Sequence, residues 1–331
     1  MLNEWYMPLL AFGLAWWLTR MCCDPGSVLY FLDHPNERSL HVRPTPRTGG
    51  VGVMGGVLGA GLVLGLVRGF APSMWAVLGG AFGLAVLNLV DDRSGLPARV
   101  RFAAQALAAL VFLGLADLPG PGWGLLPAFL GLVWMANLYN FMDGSDGLAG
   151  GMAVFGFGAC GLGAALGGDM TLALLCASIA AAAGGFLCFN FHPARIFMGD
   201  VGSVPLGYMA AGLGLYGWQQ GLWPLWFPLA VFSPFCADAT VTLLRRAWRG
   251  EKIWLPHRTH YYQRLVQLGW GHRRTALFAY GLMCACGVGA LVILPFAFPV
   301  QIGVITIGCI AYCIIGVLVD QAWRRHQNGP T

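Results

Sequence analysis

The chain has 331 residues, of which 57% are hydrophobic and 10% are charged, and its formal net charge is +5. Soluble domains carry about 25% charged residues, so this composition excludes an ordinary soluble protein. Runs of about twenty residues almost free of Lys, Arg, Asp and Glu recur along the chain, and each is long enough to cross a bilayer core of roughly 30 Å. The sequence therefore predicts an all-α, polytopic membrane protein.

The apolar runs predict about eleven transmembrane helices (ten to eleven) in one integral membrane domain covering residues 1–331. The predicted spans are 5–20, 49–68, 72–90, 100–118, 122–140, 149–168, 171–189, 202–219, 222–243, 274–297 and 299–320. The first run lacks a basic stretch before it and ends at Arg20. It is therefore predicted to be an anchor with its N-terminus outside, and not a cleaved signal peptide.

The basic residues set the predicted orientation. Eleven spans place five loops and the C-terminal tail on one side of the membrane, and these loops are 21–48, 91–99, 141–148, 190–201 and 244–273. All nineteen Lys and Arg residues except Arg68 lie in or beside these segments. The positive-inside rule assigns that side to the cytoplasm.

Acidic residues cluster at the same end of several predicted helices. The positions are Asp91 and Asp92 after the third span, Asp143 and Asp146 after the fifth, Asp200 after the seventh and Asp238 near the end of the ninth. Any one of them could simply cap a helix or face water. Four acid-bearing segments on one face instead favour a shared cation, because adjacent carboxylates need a counter-charge. Mg²⁺ prefers carboxylate oxygens and is often shared with substrate phosphates, so a polar active site is predicted at the cytoplasmic face.

Two loops add basic residues. In HRTHYYQRL, His257, Arg258 and His260 form H-R-x-H, which suits a clamp on a diphosphate better than a zinc site because no third ligand is evident. The alternative is a basic patch that touches anionic lipid, which fits Arg245 and other arginines at the ends of this loop. In the proline-rich first loop, Arg47 either reaches a substrate phosphate or only enforces topology.

The motifs DD, NxxNFxDGxDGL, PAxxFMGDxGS and HRxH, in this order between predicted spans, resemble those of the polyprenyl-phosphate N-acetylhexosamine-1-phosphate transferases, the membrane enzymes that include WecA and MraY. The resemblance covers nearly the whole chain, from residues 33–50 to residues 257–265. It implies transfer of an N-acetylhexosamine-1-phosphate from a UDP-sugar to undecaprenyl phosphate with release of UMP. That reaction is the first membrane step of a cell-envelope glycan such as O-antigen or capsule.

The resemblance also implies the surroundings and the cofactor. The enzyme would lie in the inner membrane of a bacterium, among membrane lipids and without a nucleic-acid partner. Mg²⁺ would be the cofactor, with Mn²⁺ as a substitute. Members of the family can dimerise through their spans, so a homodimer is one arrangement that the resemblance allows.

The resemblance implies roles for individual residues. The implied catalytic residues are Asp91, Asp92, Asp143, His257 and His260. The implied metal ligands are Asp200 and Asp92. The implied substrate-binding residues are Asn140, Asp146, Asn190, Phe197 and Arg258. Phe197 matches an aromatic residue placed to stack on uracil, although the residue taken alone is better explained as a membrane-surface anchor. An aspartate inside a span is a functional candidate by default, so Asp238 joins Arg47 as a further substrate-binding candidate.

Alternatives remain at this point. The final loop lacks the run of histidines of the peptidoglycan branch, and RSGLPAR lacks its lysine, so the O-antigen type is favoured over a phospho-MurNAc-pentapeptide transferase. An ion-coupled transporter would place its carboxylates near the bilayer midplane and show internal repeats. A CDP-alcohol phosphotransferase would need DGxxAR, which is absent after Asp143 and Asp146. The donor sugar, and the choice between one step and a phospho-aspartate intermediate, stay open.

Overall fold

The computed structural model describes residues 6–35, 39–252, 255 and 257–328 and is almost entirely helical. The predicted loops 21–48 and 244–273 each include a few residues outside these ranges. The helices are α1 Met7–Cys22, α2 Gly49–Arg68, α3 Pro72–Ser94, α4 Ala98–Leu115, α5 Leu125–Phe141, α6 Leu148–Leu166, α7 Met170–Asn190, α8 Asp200–Gln219, α9 Trp226–Val231, α10 Ser233–Trp248, α11 Tyr261–Leu265, α12 Gly271–Ile293 and α13 Phe298–Asn328. Two short strands, β1 Leu32–Asp33 and β2 Thr45–Pro46, pair antiparallel in the first polar loop. The predicted all-α class is confirmed, with this small ribbon as an addition.

Eight helical segments among the described residues are long and apolar enough to cross a membrane. They match the predicted spans except the first, the eighth and the ninth. Helix α1 has 16 residues and α8 has 20, and α8 is the more polar of the two, with Asp200 at its start. The chain is therefore a multi-helix membrane protein, whereas the count of about eleven spans stays a prediction.

The expected ninth span, residues 222–243, is not one continuous helix. Helix α9 ends at Val231 and α10 begins at Ser233, with Phe232 between them. Pro234 lies in the first turn of α10, where its missing N–H costs nothing, but it could not have continued a helix from the preceding turns. The continuous helix expected over this range was wrong because this proline starts a new one.

Glycines allow the helices to pack closely. A β-carbon added at Gly52 or Gly56 of α2, or at Gly185 of α7, would lie within 3 Å of backbone atoms of α1. A β-carbon added at Gly207 of α8 would likewise lie within 3 Å of backbone atoms of α5. Small residues of this kind let helix backbones approach each other in lipid. Helix α8 is buried along most of its length between α3 and α5, which places its first residue, Asp200, beside the ends of both.

Candidate active site

Backbone hydrogen bonds join the first polar loop to the loop between α7 and α8. The Phe197 N–H donates to the Pro46 carbonyl at 2.7 Å, and the Phe197 carbonyl accepts from the Gly49 N–H at 2.9 Å. Gly199 has a φ of +66°, and a β-carbon there would collide with the carbonyl of Arg47. Glycine is therefore required at this position by both backbone conformation and space.

Two predicted site residues hold the loop 141–148 against the loop 190–201. The Asn190 side chain accepts from the Gly147 N–H and donates to the Ile196 carbonyl, both at 2.9 Å. The Asp146 carboxylate lies 2.6 Å from Nδ1 of His192. Both side chains are buried. Segments that are far apart in sequence are thus tied into one polar surface.

A cavity of about 270 Å³ lies between these loops and the ends of α3, α5 and α8. Eight of the predicted site residues line it: Arg47, Asp92, Asn140, Asp143, Asp146, Asn190, Phe197 and Asp200. The Phe197 ring contacts the ring of His41, with 4.9 Å between their centroids. We call this cavity the acidic cavity, because five aspartates from four separate predicted loops lie in its wall: Asp33, Asp92, Asp143, Asp146 and Asp200.

Two arginines offset part of the negative charge. Arg47 pairs with Asp92 at 3.2 Å. Arg101, in the first turn of α4, lies 3.3 Å from the carboxylate of Asp91 and 3.5 Å from that of Asp200. Asp91 itself is absent from the cavity lining, and it also accepts a hydrogen bond from the Leu96 N–H. Asp91 is therefore linked to Asp200 of the cavity through their shared partner Arg101, and its catalytic role stays a prediction.

The remaining negative charge is unfavourable. Asp143 follows α5 in a polar loop, and its withdrawal from water, together with the charge of Asp200, raises its pKa well above the usual carboxyl value. A hydrogen bond from the Gly199 N–H lowers that pKa only in part. Like charges without a counter-ion favour the protonated acid, so a bound cation would stabilise the charged form.

The oxygen donors fit a magnesium ion shared with a substrate. One carboxylate oxygen of Asp92 is buried and lacks a hydrogen-bond partner, and Asp143 and Asp200 line the same cavity. Within the described ranges, no three His, Cys, Asp or Glu side chains are close enough to hold a metal by themselves. Mg²⁺ usually keeps several waters and takes one or two carboxylates together with substrate phosphates. The residues therefore suit a metal bound with a diphosphate better than a closed protein cage.

Besides Asp91, four predicted residues are absent from the lining of the acidic cavity: Asp238, His257, Arg258 and His260. The Asp238 carboxylate accepts the N–H groups of Tyr261 and Tyr262 at 2.9 and 3.0 Å and so caps α11. It also lies 3.2 Å from Nδ1 of the buried His260. Helix α11 reaches the cavity through Gln263. The substrate roles of the four residues stay predictions, and Asp238 has a clear structural role.

Sequence reasoning missed a pair of histidines at the cavity. The rings of His192 and His272 stack with 5.6 Å between centroids, and both lie near Asp146, at 2.6 and 3.8 Å. His272 also contacts the Ser145 hydroxyl at 2.9 Å and lines the cavity. The sequence offered only one indication of a role for these histidines, which is that both fall in predicted cytoplasmic loops.

Comparison with known proteins agrees with this geometry. Residues 74–217 match the family described as glycosyl transferase family 4. A probable undecaprenyl-phosphate N-acetylglucosaminyl 1-phosphate transferase of Bacillus subtilis is 32% identical over 79% of this chain and 77% of its own length. A decaprenyl-phosphate N-acetylglucosaminephosphotransferase of Mycolicibacterium smegmatis is 31% identical over 97% of this chain and 88% of its own length. A phospho-N-acetylmuramoyl-pentapeptide-transferase of Shouchella clausii is 32% identical, over 52% of the chain and 60% of its own length. The chain therefore belongs to the polyprenyl-phosphate N-acetylhexosamine-1-phosphate transferase family, as its motifs indicated.

Proposed function

We propose that the chain is a Mg²⁺-dependent enzyme that transfers an N-acetylhexosamine-1-phosphate from a UDP-sugar to undecaprenyl phosphate or another polyprenyl phosphate. The observation that carries this proposal is the acidic cavity, where Asp92, Asp143 and Asp200 meet beside Arg47 and Arg101. The names of the two relatives with broad coverage support polyprenyl phosphate as acceptor and N-acetylglucosamine as the sugar.

The reaction joins two anions. In a single step, an oxygen of the lipid phosphate would attack the β-phosphorus of the UDP-sugar, the bond from that phosphorus to the bridging oxygen would break, and UMP would leave with the electron pair. In two steps, an aspartate oxygen would first make the same attack and release UMP, and the lipid phosphate would then displace the aspartate. Magnesium, when bound, offsets the charge on the phosphates. Asp92, Asp143 and Asp200 would hold it, while Arg47 and Arg101 fix the carboxylates and reduce their mutual repulsion. Preorganised charges of this kind stabilise the transition state because they need no rearrangement during reaction.

The location of the site also forms part of the proposal. The polar loops meet at the end of the bundle that carries almost all basic residues, and the positive-inside rule places this end in the cytoplasm of a bacterial inner membrane. A cytoplasmic nucleotide sugar and a membrane-anchored phosphate would both reach the cavity there. The homodimer stays a prediction.

The test uses the purified chain in detergent with undecaprenyl phosphate and Mg²⁺. UDP-N-acetylglucosamine, its 6-deoxy relatives UDP-FucNAc and UDP-QuiNAc, and UDP-MurNAc-pentapeptide are supplied separately. We expect UMP release and a lipid diphosphate sugar of matching mass with one of the N-acetylhexosamine donors, and loss of both products with EDTA. Product from the pentapeptide donor alone would assign the chain to peptidoglycan synthesis, and no UMP with any donor would refute the transfer reaction.

A further inference from the structure

A second polar cavity lies at the ends of α10 and α13, away from the acidic cavity. Its volume is about 500 Å³. Its charged lining residues are Arg245, Arg249, Arg264, Arg324 and Asp320. Four guanidinium groups face one carboxylate, so the formal excess is three positive charges. We call this cavity the basic pocket.

One half of the basic pocket is held rigidly. Asp320 pairs with both Arg245 and Arg264, and the Arg264 contact is 2.7 Å long. The Tyr261 ring contacts both arginines, with its centroid 5.5 Å from the guanidinium carbon of Arg245 and 5.1 Å from that of Arg264. The Arg264 guanidinium also lies 6.0 Å from the ring of Trp323. These contacts fix the positions of two positive charges before any ligand arrives.

The other half has no internal counter-charge. Arg249 and Arg324 are exposed, and neither forms an ion pair with a carboxylate in the described part of the chain. Arginine offers several N–H donors in a planar fork that matches the oxygens of a phosphate. The basic pocket is therefore complementary to a phosphate group in both charge and hydrogen-bonding type.

The position of the pocket indicates a lipid as the source of that phosphate. Only 6% of the residues in the apolar part of α13 are buried within the protein. The exposed Val317 and Leu318 come directly before the polar end of this helix. Trp248 in the pocket wall is 94% exposed. Tryptophan is enriched where a membrane meets water. The pocket thus lies at the level of lipid headgroups, next to a helix face that contacts lipid tails.

An apolar cavity continues this arrangement. Its volume is about 210 Å³, and residues of α10, α11, α12 and α13 line it. Arg245 belongs to the lining of both cavities. A molecule with a phosphate headgroup and a hydrocarbon chain would match the two adjoining spaces.

We propose that the basic pocket binds the phosphate headgroup of an anionic phospholipid. Basic pockets between membrane helices on the cytoplasmic side are suited to such headgroups. This inference goes beyond the transfer reaction, because none of the residues that line the basic pocket lines the acidic cavity.

The test measures lipid binding by native mass spectrometry of the purified full chain, without a nucleotide donor. The probes are phosphatidylglycerol, and phosphatidylcholine as a lipid without net charge. The variant is Arg249→Gln with Arg324→Gln. The control is Arg99→Gln with Arg274→Gln, which removes two exposed arginines from the first turns of α4 and α12. We expect the unmodified chain and the control to retain phosphatidylglycerol over phosphatidylcholine, and the variant to bind it about tenfold more weakly.

Three results would overturn the proposal. Equal retention by the variant and the unmodified chain would show that the basic pocket does not hold the headgroup. Equal weakening in the control would show that only overall charge matters. Displacement of phosphatidylglycerol by inorganic phosphate or by undecaprenyl phosphate at equal concentration would assign the pocket to a different phosphate. Because no donor is present, each result is independent of whether the chain catalyses transfer.

Discussion

The acidic cavity and the basic pocket lie in the same molecule, have opposite charge and are built differently. The acidic cavity takes its carboxylates from several separate segments, among them Asp92 in α3, Asp143 after α5 and Asp200 at the start of α8. Backbone hydrogen bonds join the first polar loop to the loop before α8, and the Asn190 side chain joins that loop to the one after α5. The basic pocket takes most of its charge from the ends of α10 and α13, around the single carboxylate of Asp320.

The difference lies in how each site tolerates its own charge. An oxygen of Asp92 is buried without a partner, and the pKa of Asp143 is raised, so the protein groups around these two carboxylates only partly stabilise their negative charge. The unpaired arginines of the basic pocket are exposed, and water stabilises them when no ligand is bound. Leaving a buried charge uncompensated costs far more than leaving an exposed one. Changes in the acidic cavity should therefore have the larger effects.

The largest effect is expected for Asp200→Asn. The amide has the same shape but lacks the negative charge that a metal ligand needs, so UMP release at saturating Mg²⁺ should fall about a thousandfold. The matched control is Asp117→Asn, an exposed aspartate on a different loop, which should keep full activity. Activity of Asp200→Asn within a few fold of the unmodified chain would rule out Asp200 as the principal ligand.

The next effect is expected for Arg101→Gln. Without this guanidinium the carboxylates of Asp91 and Asp200 repel each other more strongly, so transfer should fall about tenfold, which corresponds to about 1.4 kcal/mol in the barrier. The Mg²⁺ concentration for half-maximal activity should fall too, because the cavity becomes more negative.

Arg99→Gln is the control for that variant. It removes the same charge two residues earlier on α4, from an exposed side chain, and should change neither value by more than about twofold. An unchanged Mg²⁺ requirement in Arg101→Gln would show that Arg101 does not act through the carboxylates.

Many residues of the acidic cavity could be predicted because they belong to short local sequence motifs. Asp143 and Asp146 lie among glycines between two apolar runs, and Asp200 lies in a similar turn. Apolar runs fix which helix ends share a face, so the acids could be assigned to one side of the membrane. The close packing of helices at glycines could also be expected, because the chain contains 49 glycines and most of its sequence is apolar.

The rest depends on tertiary contacts that no local pattern specifies. Arg101 is one of several basic residues near a helix end, and only the approach of α8 to α4 gives it two carboxylate partners. His192 and His272 come from loops 80 residues apart in sequence and meet at Asp146. The cap that Asp238 of α10 forms on α11 could not be predicted either, because the two residues that it joins, Asp238 and Tyr261, are 23 positions apart in sequence.

A smaller effect, on stability, is expected for Asp320→Asn. Without its charge, Arg264, whose side chain is 9% exposed, and Arg245 lose their shared partner. The pair is only partly buried, so the cost should be about 2 kcal/mol, between the values for exposed and buried pairs. Thermal unfolding in detergent measures it, with Gln321→Asn on the same helix as the control. An unchanged midpoint would show that water replaces the carboxylate without cost.

The smallest effect is expected for the pH dependence of stability on replacement of His257, which lies in the loop between α10 and α11. Withdrawal from water and the neighbouring His260 lower the pKa of His257 to about 4, against about 6.5 in an unfolded chain. Between these two values the unfolded chain binds a proton that the folded chain does not, so stability falls as the pH drops from 6.5 towards 4. His257→Gln should therefore lose fewer degrees of thermal midpoint between pH 7 and pH 5 than the unmodified chain, whereas His326→Gln, an exposed residue of α13, should lose as many. An equal loss in His257→Gln would mean that His257 is charged in the folded protein at pH 5. The charged His257 would then add to the positive charge of the loop that carries Thr259 and Arg264 of the basic pocket. The contrast in charge between the basic pocket and the acidic cavity would be larger at pH 5 than at pH 7.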